Sequence, residues 1–177
     1  MPSDQDSTLR PSSSTAPAAI VPVPASAVVN LRGRRAIVGE PGKGWRGDLR
    51  TDMPDADGEL THVPVLTELD FYRAEIEELE VFAPLLPIEQ VWIEEVYEER
   101  PIWPGAVMAD QGLVSLQAPP VRQPMPAADM PGLSGRRMVF VEPGVTRRDL
   151  RAISEPYRDD RGQPHVNICD ELDWYAW

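Results

Sequence analysis

Gly33-Arg34-Arg35-Ala36-Ile37-Val38-Gly39-Glu40-Pro41-Gly42 and Gly135-Arg136-Arg137-Met138-Val139-Phe140-Val141-Glu142-Pro143-Gly144 open two stretches of the chain that follow one pattern. After a one-residue deletion, Arg46 and Asp48-Leu49-Arg50 match Arg147 and Asp149-Leu150-Arg151. After a two-residue insertion, His62-Val63 matches His165-Val166, and Glu68-Leu69-Asp70-Phe71-Tyr72 matches Glu171-Leu172-Asp173-Trp174-Tyr175. The sixteen identities across positions 33 to 72 include both histidines of the chain. Self-similarity of this kind outranks local propensity in deciding a fold, because each copy must adopt the same structure.

Each copy reads as a small β-rich module. Ala36-Ile37-Val38 and Met138-Val139-Phe140-Val141 are short apolar runs led by an arginine pair, which suits a buried strand with a solvated start. Glu-Pro-Gly then predicts a turn, because proline presets one central position and glycine accepts the positive φ of the next. Asp48-Leu49-Arg50 and Asp149-Leu150-Arg151 predict short strands. Second turns are marked by Pro54-Asp55-Ala56-Asp57-Gly58 and Asp159-Asp160-Arg161-Gly162. Alternation at Val63 and Val65, and at Val166 and Ile168, predicts half-buried strands. Thr67 and Asp170 precede Glu-Leu-Asp as in a capping box, so a helix follows, with Leu69, Tyr72, Ile76 and Leu79 sharing one face in the first copy.

The expected fold class is therefore α+β leaning to β, with two tandem modules, each closed by a short helix. Residues 1–27, rich in Ser, Pro, Ala and Asp, predict a disordered tail, since they offer too little apolar surface to offset the entropy of ordering. Residues 28–100 form the first module with an acidic extension. Residues 101–134 form a Pro-rich connection with one candidate strand, Gly112-Leu113-Val114-Ser115-Leu116, and residues 135–177 form the second module. Pro84 and Pro87 divide the acidic block from Glu68 to Arg100, and in its later half Val91 to Tyr97 is rich in β-branched and aromatic residues, which predicts a strand.

A net charge of −12 at pH 7 disfavours direct binding to nucleic acid or anionic membranes, whose affinity comes from Lys and Arg. Cys169 is the single cysteine, so no intrachain disulfide forms and a cytoplasmic setting is the expectation. Pro17, Pro22 and Pro24 interrupt the apolar stretch from Ala16 to Val29 and weaken its reading as a secretory signal. Only one of the 17 basic residues is lysine, Lys43, which fits a GC-rich genome such as that of a high-GC bacterium.

No set of residues spells a catalytic centre. His62 and His165 repeat, yet a metal site needs further ligands, and Cys169 beside His165 is answered by Leu66 in the first copy. Gly39 to Trp45 lacks the Gly-Lys-Ser/Thr ending of a phosphate loop. Arg46-Gly47-Asp48 becomes Arg147-Arg148-Asp149 in the second copy, which points to structural roles. The expectations are no catalytic residues, no metal and no cofactor, and a non-enzymatic protein-binding or adaptor protein. Phe71, Tyr72, Trp92, Trp174, Tyr175 and Trp177 serve either as core anchors or as a partner-binding patch, since aromatics are favoured in both places. Two rival readings remain. One is an acidic decoy, a DNA mimic using Glu75, Glu77, Glu78, Glu94, Glu95 and Glu98 to occupy a nucleic-acid-binding protein; the other is an enzyme using the two histidines.

Overall fold

The computed structural model describes residues 19–40, 43–53, 61–97, 118–142 and 145–177. Strands β1 (Ala19–Pro24), β2 (Arg35–Glu40), β3 (Gly44–Thr51) and β4 (His62–Thr67) lead into helix α1 (Glu68–Glu77), followed by β5 (Leu85–Pro87) and β6 (Val91–Tyr97). Beyond them lie β7 (Arg137–Glu142), β8 (Val145–Ala152), β9 (Tyr157–Arg158), β10 (Pro164–His165), β11 (Ile168–Asp170) and helix α2 (Glu171–Ala176). The strands form a six-stranded antiparallel sheet in the order β1-β6-β2-β3-β4-β5, a three-stranded antiparallel sheet β11-β8-β7, and the small β9–β10 pair. The described residues are thus mostly β with two short helices, in line with α+β leaning to β.

The strands on either side of each Glu-Pro-Gly segment pair as a hairpin, while the expected turn residues Pro41, Gly42, Pro143 and Gly144 lie outside the described residues. Glu40 pairs with Gly44 across the first, whose end is closed by the Lys43 N–H donating to the Glu40 carbonyl at 3.0 Å, and Glu142 pairs with Val145 across the second. In β2–β3 the register runs Arg35↔Arg50, Ala36↔Leu49 and then Val38↔Arg46. In β7–β8 it runs Arg137↔Arg151, Met138↔Leu150 and then Phe140↔Arg147. Each hairpin therefore bulges at the same place, with two residues opposing Ile37 or Val139. The base of each hairpin is tied alike. Gly33 and Gly135 adopt φ of 70° and 80°, a left-handed conformation that costs glycine nothing. Their N–H groups donate to Thr51 and Ala152 at 2.7 and 2.8 Å, and their carbonyls accept from Arg50 and Arg151 at 2.7 and 2.8 Å.

Several expectations need correction. Residues 19–24, expected within the disordered tail, are ordered: Ala19–Pro24 forms β1 against β6, and residues 1–18 lie outside the described residues. Pro22 and Pro24 are tolerated because a proline at a sheet edge need not donate inward. Arg122 caps the other side of β1, exchanging backbone hydrogen bonds with Ile20 at 2.8 and 3.0 Å, so the Pro-rich connection is itself anchored to the first sheet. Leu69, Ile76 and Leu79 are 59, 39 and 52 % exposed; α1 instead buries Glu68, Phe71 and Tyr72. An inward glutamate, Glu68, rotates the buried face away from the purely apolar stripe. Thr67 caps α1 by accepting from the Asp70 N–H at 3.1 Å, whereas Asp170 makes no capping bond and pairs with Arg147 at 3.1 Å. The expected turn at Pro54–Gly58 and the strand at Gly112–Leu116 lie outside the described residues.

The main core lies in the first half, where Ala25, Leu31, Ala36, Val38, Leu49, Val63, Val65, Val91 and Ile93 form one buried cluster. The three-stranded sheet is less covered. Leu150 and Ala152 are buried, but Met138, Val139, Val166 and Ile168 are only half-buried, and Phe140 is 38 % exposed. No helix among the described residues is long and apolar enough to cross a membrane.

Candidate functional site

Between the two helices lies a cluster of arginines and carboxylates that the repeated positions supply. Glu68, the first residue of α1, is 3 % exposed, and Glu171, the first of α2, is wholly buried. A buried carboxylate is costly unless paired. Glu171 receives Arg35 at 2.8 Å and Arg50 at 2.6 Å from the first half and Arg151 at 3.0 Å from its own. Glu68 receives Arg137 at 2.8 Å and Arg151 at 3.0 Å from the second half and Arg35 at 3.1 Å from its own. Each helix thus begins with an anion whose counter-charges come largely from the opposite half.

Two tyrosines complete the arrangement. The Tyr72 hydroxyl donates to Glu171 at 3.1 Å, and the Tyr175 hydroxyl donates to Glu68 at 3.4 Å. Their rings stack at 4.9 Å, and Arg50 and Arg151 lie over the two rings at 5.2 and 5.5 Å, within cation–π range. Burial pushes the Tyr72 phenol well up, with Arg50 opposing and Glu171 adding to the rise, so it stays a donor.

Asp149 and Asp48 occupy matched bulge positions but act differently. Asp149 takes φ 66°, a left-handed conformation Asp tolerates, and its carboxylate meets Arg50 at 2.6 Å and Arg35 at 3.2 Å. Asp48 instead pairs with Arg46 at 2.7 Å on the surface. The cluster therefore sets Arg35, Arg50, Arg137 and Arg151 against Glu68, Glu171 and Asp149. Burial alone raises the Glu171 and Asp149 carboxyls, but the guanidiniums of Arg35 and Arg50 outweigh it and hold both below the ordinary carboxylate range. Arg137 is lowered by burial and by the nearby Arg35. Four guanidiniums meet three carboxylates here, and each carboxylate is held by at least two of them, so the cluster clasps the two halves together.

The six aromatic candidates divide by position. Phe71 and Tyr72 are 9 and 7 % exposed and pack edge-on at 5.4 Å. Trp92 and Trp174 are half-buried, the latter with its ring 3.5 Å from where a Cβ on Gly135 would stand. Tyr175 lies half-buried in the stack, and Trp177 is 89 % exposed. The clasp was missed in the sequence because its members read singly as solvated arginines and capping acids.

Apolar surface is instead exposed where α1 ends. Glu78 closes the helix at φ 52°, and Leu79, Val81, Phe82 and Leu85 follow at 52, 36, 100 and 63 % exposure. A cleft of about 480 Å³ runs alongside, lined by Leu66, Phe71 and Ala74 together with Glu78, Glu80, Asp52 and the Arg32–Glu75 pair. Ala83 packs onto the Leu66, Phe71 and Tyr72 cluster, and the Pro84 carbonyl accepts from Val65 at 3.0 Å, so the segment is tethered at its far end.

His62 and His165 are both exposed; His62 meets Thr61 at 3.0 Å, and His165 meets Asp159 at 3.2 Å while stacking on Tyr157. No group of three metal-ligating side chains occurs among the described residues. Half-burial, with Asp173 and Asp170 near by, raises the Cys169 thiol. Of the acidic-decoy carboxylates, Glu94 is 6 % exposed and bound to Arg122, Glu95 holds Arg34 and Arg148, Glu75 holds Arg32, and Glu77 holds Arg73. Glu98 lies outside the described residues. Comparison with protein-family models, with curated proteins and with solved structures finds no match to this chain.

Proposed function

We propose that this chain is a duplicated, non-enzymatic binding protein whose two copies are clasped into one body and whose first copy presents the recognition surface. The matched hairpin registers, bulges, glycine ties and helix-opening glutamates support the duplication. The clasp consumes the repeated tyrosines, and the two halves form a scaffold instead of two free beads.

One observation carries the binding reading: Phe82 is fully exposed beside Leu79, Val81 and Leu85, next to a cleft that Leu66, Phe71 and Ala74 share with Glu78 and Glu80. Exposed aromatics grouped with aliphatics mark interaction sites more often than isolated ones do. Glu78 and Glu80, which hold no arginine among the described residues, select a partner that is basic around its apolar anchor. The expected ligand is a protein segment carrying an aromatic or aliphatic residue flanked by Lys or Arg.

Selection of a displayed random-peptide library on the whole protein tests this. The reading expects enriched sequences with that pattern, and at least a tenfold loss of affinity in Phe82→Ser and in Glu78→Lys. Peptides without basic bias, or peptides bound equally by Phe82→Ser, would overturn it.

A further inference from the structure

We propose that the outer edge of β7 is a homodimer interface, closed by the β7 strand of a second copy running antiparallel about Val139.

The first half shows what such an edge accepts. β2 is paired on one side by β3 and on the other by β6, with Ala36↔Ile93, Ile37↔Trp92 and Val38↔Val91 in register. Continuing that register places Arg34 opposite Glu95, and the two form an ion pair at 3.4 Å. Val91 and Ile93 meanwhile complete the core over Ala36 and Val38. β7 and β8 repeat the register and bulge of β2 and β3, yet among the described residues β7 is paired with β8 alone. The edge leaves Met138 and Val139 half-buried and Phe140 and Val141 exposed at 38 and 37 %. An open strand edge of this kind pairs readily with another strand.

The sequence of β7 fits its own edge. Setting Met138-Val139-Phe140-Val141-Glu142 where β6 sets Val91-Trp92-Ile93-Glu94-Glu95 keeps three apolar residues first and glutamate last. Met138 and Phe140 of the second copy take the places of Val91 and Ile93, over the half-covered core. Its Glu142 takes the place of Glu95, opposite Arg136, the counterpart of Arg34. Arg136 and Glu142 are both exposed, and neither forms an ion pair among the described residues. Because 136 + 142 equals 138 + 140, one twofold axis through Val139 satisfies every pair at once, so the contact is isologous. Opposite charges across paired strands favour this register and like charges oppose it.

Sedimentation equilibrium of the whole chain tests the proposal. The wild type is expected at twice the 19.7 kDa of one chain. Arg136→Glu and Glu142→Arg, each placing like charges opposite one another, are expected to weaken dimerisation at least tenfold, and Glu142→Arg, which spares the Arg136–Gly132 hydrogen bond, to leave the unfolding temperature of the monomer unchanged. An equimolar mixture of the two variants is expected to recover a heterodimer, since every facing pair is then opposite in charge. Val139→Cys, with Cys169→Ser to remove the native thiol, is expected to form an interchain disulfide on mild oxidation. Facing residues in antiparallel strands lie about 4.5–5.5 Å apart at Cα, within disulfide reach. A wild type that stays at 19.7 kDa overturns the proposal, and protection of the Met138–Val141 amides in that monomer would assign the edge to another segment of the chain. A dimer that survives both charge reversals and yields no 139–139 disulfide overturns it equally.

Discussion

Tyr72 and Tyr175 stack at 4.9 Å with 16° between their ring planes, and each hydroxyl reaches the glutamate that opens the other's helix. The helices are therefore crossed in their chemistry: the residue that begins one is satisfied by the body of the other. Glu68 sits inward on α1 for this reason, and Leu69, Ile76 and Leu79 are turned out.

Removing one member of a buried charge cluster strands the rest. Glu171→Gln leaves Arg35 and Arg50 with too little negative charge and is expected to cost about 3–5 kcal/mol in denaturant unfolding. Arg46→Ala breaks only the surface pair with Asp48 and is expected to change stability by no more than about 1 kcal/mol.

The clasp also sets an acid limit. Glu171 and Asp149 are held below their ordinary range in the folded state, so their stabilisation is present above the unfolded pKa of about 4 and is lost as pH falls through the lower folded values. Thermal unfolding followed from pH 7 to pH 2 should show this loss below about pH 4, and Glu171→Gln should show a shallower dependence over the same interval.

Gly33→Ala and Gly135→Ala test the hairpin ties. Both force a side chain into the left-handed region, at about 1 kcal/mol or more. The new Cβ stands 3.3 Å from the Phe71 ring at position 33 and 3.5 Å from the Trp174 ring at position 135. Gly33→Ala should lower the melting temperature further, because Phe71 is buried and yields less.

The turned helix face has a direct check. Phe71→Ala should cost about 3–5 kcal/mol, as for a buried aromatic, while Leu69→Ala should stay within about 0.5 kcal/mol.

Cys169 should be sluggish toward thiol reagents. Half-burial and the neighbouring Asp173 and Asp170 hold its thiol protonated, so alkylation at pH 7.5 should run several-fold slower in the native protein than in urea.

The hairpin strands, the β6 strand and the helix start at Thr67 are legible because each rests on local chemistry: short apolar and β-branched runs and a capping side chain. β1 was hidden by Pro22 and Pro24, which mark a coil in a sequence but sit without penalty on an edge strand. The buried face of α1 does not follow the apolar stripe of its sequence, because the surface it meets is made of guanidiniums. Arg35 and Glu171 lie 136 residues apart, and no local signal announces that contact. The signal that was present is the repetition itself: Arg35, Arg50, Glu68 and Tyr72 all recur, as Arg137, Arg151, Glu171 and Tyr175.

That exchange of counter-charges bears on how the chain is made. When the first copy has left the ribosome, Arg35 and Arg50 face Glu68 alone, and the acids that balance them, Asp149 and Glu171, have yet to be synthesised. Until then only water and Glu68 are there to balance the charge of these guanidiniums, so the clasp can close, and bury them, only once the second half has been made.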